Sequence, residues 1–420
     1  MKNHGNKVEI LRGMEDILPP ESHLWRKVIE TAQAVFSSYG YDEIVTPILE
    51  PLALFKRSVG ESTDIVSKEM YDFVDKGGHE VTLRPEGTAS VVRAYINANV
   101  HGLEPISRYW YFGPMFRYER PQKGRQRQFY QLGAELLGPS HPSSDAEVMA
   151  MLSHFFDRMK LEHITLEINS IGSESSRKKY IEKLLSYLEP YRRKLDEDSQ
   201  KRLHRNPLRI FDSKVESTQH ILKNAPRFAE FLSVEDREHF EAVQKYLTLL
   251  NVKYVVNERI VRGLDYYTRT AFEFTTDQLG AQNAVAAGGR YDGLVRDLGG
   301  PDIPAVGFAI GIERLILLLQ SLQSNFTQKG CKAYVAAMSE KAIEVMSPKI
   351  QSLRQKGIHV EWDYEPKSLK SLMKRADKSG AEMVIIVGDD EIAKQSVIVR
   401  NLVTKEQKEV KLSDLENLWN

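Results

Sequence analysis

Five cations fall within eleven residues of this chain: Arg117, Arg120, Lys123, Arg125 and Arg127. Pro121 and Gly124 interrupt the run, and Glu119, Gln131 and Glu135 supply acceptors close by. Guanidinium groups present paired donors to phosphate and carboxylate, so such a cluster suits the neutralisation of an anion. Basic hairpin tips are also commonly just solvated, and the loop alone leaves that reading open. The flanking elements carry the argument further. Residues 109–118 are aromatic and apolar enough for a buried strand and 129–137 read as a second, which makes the polar stretch between them a hairpin loop. Side chains alternate along a strand, so Phe129, Gln131, Gly133 and Glu135 share one face, with Gly133 leaving space between the two polar groups. A buried Glu beside a Gln is costly unless it meets a ligand. The pair reads as a pocket floor with the basic loop folded over it as a phosphate clamp.

The elements that must position such a pocket extend over a long chain. At 420 residues, two or three cores are expected. Lys plus Arg and Asp plus Glu number 58 each, so no global charge draws the chain to nucleic acid, and any such contact must use local patches. Cys331 is the only cysteine, which excludes an internal disulfide framework and a cysteine zinc set and suits a reducing cytoplasm. Residues 1–13 lack a continuous apolar run and no stretch of 18 apolar residues occurs. Neither secretion nor a membrane span is therefore expected, and the localisation expected is cytoplasmic.

Helical spacing runs through Leu24, Val28, Ala32 and Val35 over 21–39, and a short strand follows at 41–45. Residues 70–74 and 81–83 flank Lys76, Gly77 and Gly78 as a hairpin, whose second arm leads into Arg84-Pro85-Glu86-Gly87-Thr88 and a helix over 89–97. Glu and Thr at such a junction are ordinary helix-capping residues, and that reading stands beside a functional one. A helix over 145–159 and a strand over 164–168 follow. From about 174 to 250 charges dominate and strand signals vanish, which marks a helical insertion. Its cations, among them Arg192, Arg193, Lys201, Arg202 and Arg205, read as a solvated face, with RNA contact as the alternative. Strands return at 254–261, 270–275 and 284–287. Arg262-Gly263-Leu264-Asp265-Tyr266-Tyr267 sets a cation, a carboxylate and two phenols in a tight connection. A glycine-punctuated strand at 307–311 enters an apolar helix with Arg314 at its start, where an Arg can hold phosphate. No strict phosphate-loop or dinucleotide fingerprint is present. After a polar linker over 324–330, strands and helices alternate as a separate small α/β core.

Taken together these stretches resemble the bacterial histidyl-tRNA synthetase family of class II aminoacyl-tRNA synthetases over essentially the whole chain. Residues 21–47 are similar to motif 1, 111–137 to motif 2 and 305–317 to motif 3. Residues 262–267 and 287–292 resemble the two histidine-specific signatures, and 83–88 and 206–214 match further stretches typical of the family. The resemblance implies an α+β fold: an antiparallel six-stranded catalytic sheet flanked by helices in a catalytic domain over 1–323, a helical insertion at about 174–250, and a C-terminal α/β anticodon-binding domain over 331–420. It implies that ATP and histidine form histidyl-adenylate and that the histidyl group passes to the terminal adenosine of histidine tRNA.

Residue by residue, Arg117, Arg262 and Arg314 match the family's catalytic arginines. Arg117 would act at the α-phosphate, Arg262, as part of the histidine site, at both the histidine carboxylate and the α-phosphate, where relatives use a metal, and Arg314 at the γ-phosphate. Arg125 would approach the pyrophosphate and Glu119 the adenine amine. Glu86, Gly87, Thr88 and Gln131 match the site for the histidine ammonium group, and Glu135 and Tyr267, with Tyr266 beside them, the imidazole site. Arg120 and Gln122 match the part of the loop near the tRNA acceptor end. Mg²⁺ accompanies the pyrophosphate in the family without a dedicated protein metal site. Motif 1 implies a homodimer. A histidine-sensing regulatory paralogue of ATP phosphoribosyltransferase shares the fold, but such paralogues usually lack the C-terminal domain or depart at the catalytic arginines, all of which are present here.

Overall fold

A computed structural model describes residues 8–60, 63–260, 264, 266–279, 283–322 and 330–419. Arg262 of the expected catalytic set, with Gly263 and Asp265 of the same signature and most of the expected linker, lies outside the described residues. The chain divides into two compact units, residues 1–324 and 325–420.

The first unit opens with α1 (Glu21–Ser38), β1 (Asp42–Glu43), β2 (Leu49–Pro51), α2 (Leu52–Val59), β3 (Tyr71–Val74), β4 (Glu80–Leu83) and α3 (Thr88–Asn97). The hairpin β5 (Ser107–Phe116) and β6 (Gln128–Leu137), then α4 (Pro142–Arg158) and β7 (Thr165–Ser170), follow. Next come α5 (Glu174–Leu188), α6 (Glu197–Arg202), α7 (Glu216–Leu222) and α8 (Val234–Leu249). The unit closes with β8 (Val255–Val256), β9 (Thr268–Thr275), β10 (Ala284–Arg290), α9 (Leu294–Asp297), β11 (Ala305–Gly311) and α10 (Ile312–Ser321).

Its main sheet has the order β1-β5-β6-β11-β10-β9-β7-β8. From β5 to β7 every neighbour is antiparallel, and the two-residue strands β1 and β8 pair in parallel at the edges. The expected six-stranded antiparallel sheet is therefore the centre of a wider one. The strand expected over 254–261 shortens to Val255–Val256, because the chain turns at Asn257, whose carbonyl accepts the Ile260 N–H at 3.1 Å.

Period-two alternation decides what each face does. Leu132, Ala134 and Leu136 of β6, with Phe308 and Ile310 of β11, sit in the main core among Val28, Ala32 and Phe36 of α1 and Leu152 and Phe155 of α4. Their odd-numbered neighbours on β6 point to the other face, where α3 and α9 pack over Leu137 and leave the rest open. A smaller sheet, ordered β2-β4-β3, lies beside it. Helices α5 and α7 build their own cluster with Leu184, Leu188, Leu203 and Ile210, but Val243 and Leu247 of α8 belong to the main core.

A buried ion pair joins α4 to the sheet. Arg290 and Asp145 are both fully buried, with Nη2 to Oδ2 at 2.5 Å, and Arg290 also donates to Asp292 at 3.0 Å, Ser144 Oγ at 2.8 Å and the Pro139 carbonyl at 3.1 Å. Burial works to raise the Asp145 pKa, but the Arg290 guanidinium and His239 hold it well below the carboxylate range. The arginine of the 287–292 signature is thus a staple of the scaffold.

In the second unit β12 (Ala333–Ala337), α11 (Glu340–Gln355), β13 (Val360–Trp362), α12 (Leu369–Ser379), β14 (Met383–Val387), α13 (Asp389–Ala393), β15 (Ser396–Asn401) and β16 (Gln407–Lys411) form a sheet ordered β13-β12-β14-β15-β16. The first three of these strands are parallel, and β15 and β16 extend the sheet antiparallel. No helix among the described residues is long and apolar enough to cross a membrane.

Candidate active site

The face of the main sheet opposite α1 and α4 carries a cavity of about 480 Å³. Glu86, Thr88, Arg117, Glu119, Arg125, Gln131, Tyr266, Tyr267 and Arg314 all line it. Residues far apart in sequence converge because β6 and β11 are neighbours, with Gln131 opposite Gly311 at the start of α10. The expected catalytic and substrate residues that fall in the described chain are thereby brought together, apart from Gly87, which does not line the cavity, and with three qualifications.

Glu135 is the first. It shares the face of Gln131 but is fully buried beneath the cavity instead of lining it. Thr88 Oγ1 donates to Glu135 Oε1 at 2.7 Å, and Tyr291 Oη donates to Oε2. Opposite Glu135 in the register lies Gly307, where a Cβ would stand 1.8 Å from Oε2, so only glycine leaves room for the carboxyl. Burial pushes the Glu135 pKa up to about 8, against the bonds from Tyr291 and Thr88 that favour the ion. The second concerns Gly133. The space over it is filled by the ring of Tyr111 from β5, whose Cζ would lie 2.3 Å from a Cβ there; the same ring closes on Gly87. The third is that Arg120 and Gln122 are exposed on the loop and do not line the cavity.

Glu86 serves as a cap, as its junction sequence allows, and lines the cavity as well. Its Oε2 accepts the Thr88 N–H at 2.7 Å and its Oε1 the Ala89 N–H at 2.9 Å, satisfying two open donors at the start of α3. Burial nevertheless raises its pKa, with those two N–H groups opposing the rise. Gln131 Oε1 accepts the Gly87 N–H at 3.2 Å.

Backbone carbonyls hold the cations. Arg117 Nε donates to the Pro85 carbonyl at 2.9 Å and its guanidinium lies 5.1 Å from the centre of the Phe129 ring. Arg314 Nη1 donates to the Ala284 carbonyl at 2.9 Å and Nε reaches the Gly124 carbonyl at 3.4 Å, linking α10 to β10 and to the basic loop. Burial and the nearby Arg125 lower the Arg314 pKa, against the carboxylates of Glu119 and Glu273. Arg125 pairs with Glu119 at 3.0 Å. The loop itself is folded tightly: Gln122 and Arg125 exchange both backbone hydrogen bonds, at 3.0 and 2.8 Å.

Several contributors escape the sequence reading. Arg202 and Arg209 of the insertion line the same cavity, and Arg202 approaches Asp64 at 3.9 Å. The expectation of a solvated face thus fails for Arg202: the fold of α6 turns it onto the catalytic unit. A cation in a run of mixed charges carries no local sign of that. Tyr291 stands in the 287–292 signature, yet nothing in its neighbours says that its hydroxyl meets Glu135. Glu313, at the start of α10, accepts the Tyr130 N–H at 2.8 Å, and burial raises its pKa to about 7.

An antiparallel sheet with one face under helices and the other lined by arginines above buried carboxyls is the catalytic architecture of a class II aminoacyl-tRNA synthetase. Family comparison agrees: residues 13–315 match the model for histidyl-tRNA synthetase and 332–418 that for an anticodon binding domain. A histidine-tRNA ligase of Cyanothece sp. is 49% identical over 410 residues, covering 98% of this chain and 95% of that relative. The crystal structure of apo Staphylococcus aureus histidyl-tRNA synthetase superposes with a TM-score of 0.83 at 38% identity, covering 98% of this chain and 99% of that one. An ATP phosphoribosyltransferase regulatory subunit/histidyl-tRNA synthetase of Bacillus halodurans, 21% identical over 90% of this chain and 97% of that one with a TM-score of 0.63, shares the fold. The chain belongs to the histidyl-tRNA synthetase family. It is an ATP-using ligase of protein biosynthesis.

The environment of Glu135 makes stability pH-dependent. An unfolded Glu titrates near ~4.3, so between there and about 8 the native protein holds a proton that the unfolded chain releases. Stability contributed by the protonated carboxyl is complete below the lower value and is lost as pH rises toward the upper one. In the absence of ligands, the wild type should therefore lose stability relative to Glu135→Gln between pH 5.5 and 8.5, by up to about a few kcal/mol. Urea denaturation of both proteins across that range measures it, and parallel curves would remove the buried-acid assignment.

Proposed function

We propose that this chain condenses histidine with ATP in the sheet cavity and transfers the histidyl group to the 3′ end of histidine tRNA. The observation that carries the reading is one cavity joining Arg117, Arg125 and Arg314 to Glu86, Thr88, Gln131, Tyr266 and Tyr267. A histidine carboxylate oxygen attacks the α-phosphorus, and the bond to the bridging oxygen of pyrophosphate breaks. The ribose hydroxyl of the terminal adenosine then attacks the adenylate carbonyl and AMP leaves. No side chain need bond covalently, so the work is positioning and charge neutralisation.

Arg117, and Arg262 by its match to the family signature, act at the α-phosphate. Arg314 and Arg125 hold the departing phosphates, and Glu119, released from Arg125, meets the adenine amine. The ammonium group is received by Glu86, Thr88 and Gln131 beside the Gly87 backbone, and the imidazole by Tyr267 and Tyr266 above the Thr88–Glu135–Tyr291 cluster. A site whose polar groups stay unpaired with a wrong side chain discriminates by ~10⁴ or more. With Glu119 on the adenine, Glu69 is the cavity carboxylate that would help hold Mg²⁺ to the substrate phosphates, where it would neutralise charge. The reaction belongs to the cytoplasm, where tRNA is charged.

Pyrophosphate exchange with each of the twenty amino acids should respond to histidine alone. In the same assay Arg262→Ala should fall at least about a hundredfold, the scale of one preorganised contact to developing charge; a loss under tenfold would remove Arg262 from the chemistry.

Two further parts of the reading concern partners. Val45, Ile48, Leu49, Phe73 and Val74, large apolar side chains in and next to the small sheet, are exposed and support a two-fold dimer through the motif 1 region. Sedimentation at micromolar concentration should give the mass of two chains, and a monomer would contradict it. Arg120 and Gln122, exposed on the loop above the cavity, face the acceptor end of tRNA, where either can present paired donors to guanine. In single-turnover transfer, Gln122→Ala should slow charging of tRNA that carries an additional 5′ guanosine and spare tRNA that lacks it. Equal losses on both would give Gln122 a general loop role.

A further inference from the structure

The first helix of the insertion touches the histidine site. The Arg177 guanidinium on α5 donates through Nη2 to the main-chain carbonyl of Tyr267. That carbonyl sits where the regular ladder gives way: β9 pairs with β10 at Ala271 opposite Gly289, but the next pair is Thr268 opposite Arg290, so Arg269 and Thr270 bulge out of the pairing with β10, while Thr270 stays opposite Ser170 of β7. Arg269 has φ +51°, unusual for a residue with a side chain. A bulge bends its strand and re-aims the side chains beside it. Here the affected side chain is the Tyr267 phenol, whose ring packs on Gly289, with Cδ1 only 2.9 Å from where a Cβ would stand, and against Tyr266 with ring centres 4.6 Å apart.

Three anchors make α5 a firm base for this contact. Asp236 of α8 is buried, and its Oδ2 accepts the Ser173 N–H at 2.9 Å, the Ser173 hydroxyl at 2.8 Å and the Ser176 hydroxyl at 2.8 Å. Its Oδ1 meets Arg269 Nε at 3.4 Å, so one carboxylate ties the start of α5 to the bulge. The chain entering α5 also pairs with the bulge directly, Ile171 N–H to the Arg269 carbonyl at 2.7 Å and Arg269 N–H to the Gly172 carbonyl at 2.8 Å. The base of α5 is therefore fixed to the bulge, and Arg177 lies one turn further along the helix.

We infer that Arg177 is a positioning residue for histidine selection: from the helical insertion it holds the main chain at the bulge so that the Tyr267 phenol faces the imidazole pocket. This rests on the reading that Tyr267 receives the imidazole. Arg177 touches neither substrate, and it does not line the substrate cavity. Its effect passes through one carbonyl into the orientation of one ring, so it acts on histidine and leaves the nucleotide arginines in place.

The test is pyrophosphate exchange by the full-length enzyme, with KM for histidine and for ATP measured separately. Arg177→Ala should raise KM for histidine about tenfold or more, the scale on which a misplaced positioning group costs binding, with KM for ATP within about twofold. Arg177→Lys, which keeps one donor and the charge, should fall between wild type and Ala, and it carries the same comparison should the Ala variant not fold. Tyr267→Phe, run alongside, must raise KM for histidine. If it does not, the imidazole reading itself fails. If it does and both Arg177 variants match the wild type, or raise the two KM values equally, the positioning role is overturned. The double variant Arg177→Ala/Tyr267→Phe should exceed neither single variant by much, since both act on one ring; full additivity would also overturn it.

Discussion

The cavity is built around a carboxyl that has no access to water. Glu135 comes from β6, its hydroxyl donors from the start of α3 and the end of β10, and the space it occupies from a glycine on β11. Four segments must therefore be in register before its burial is tolerable, because a carboxyl sealed without partners would cost far more than any one of these contacts returns. Thr88 links this acid to Glu86 through the cap of α3, and Gln131 links the same junction to the floor. The polar half of the pocket is thus one connected network, in which each member is oriented by the next.

The cationic half follows a different rule. Arg117, Arg314 and, beyond the cavity, Arg84 and Arg177 all donate to main-chain carbonyls. A carbonyl orients a guanidinium without cancelling its charge. Arg125 is held by Glu119. By contrast Arg290 is neutralised by Asp145 in the core and contributes only to the scaffold.

Much of this was legible in the chain itself. The alternation of β6 separates Gln131 and Glu135 from Leu132, Ala134 and Leu136, and so distinguishes the site face from the helix face with no knowledge of the partners. Glycine, proline and cap signals place the junction at 84–88 and the entry to α10, and the charged, strand-free texture after 174 marks the insertion. These are local properties, set by the period of a strand or helix and by the backbone freedom of single residues.

What tertiary structure alone decided are the contacts between segments with no shared local pattern. No periodicity states that Tyr111 would fill the space over Gly133, that Tyr291 would meet Glu135, or that Arg202 and Arg209 of the insertion would turn onto the substrate cavity. Nor does it state that α8 would join the main core while its neighbours in the insertion do not. Each depends on strand order and on a register slip at Thr268, which are set by the packing of the whole sheet. Sequence determined which residues could form a site for a phosphate and a small polar ligand. Packing determined which of them share it, because burial and hydrogen bonding are satisfied between elements and not along the chain.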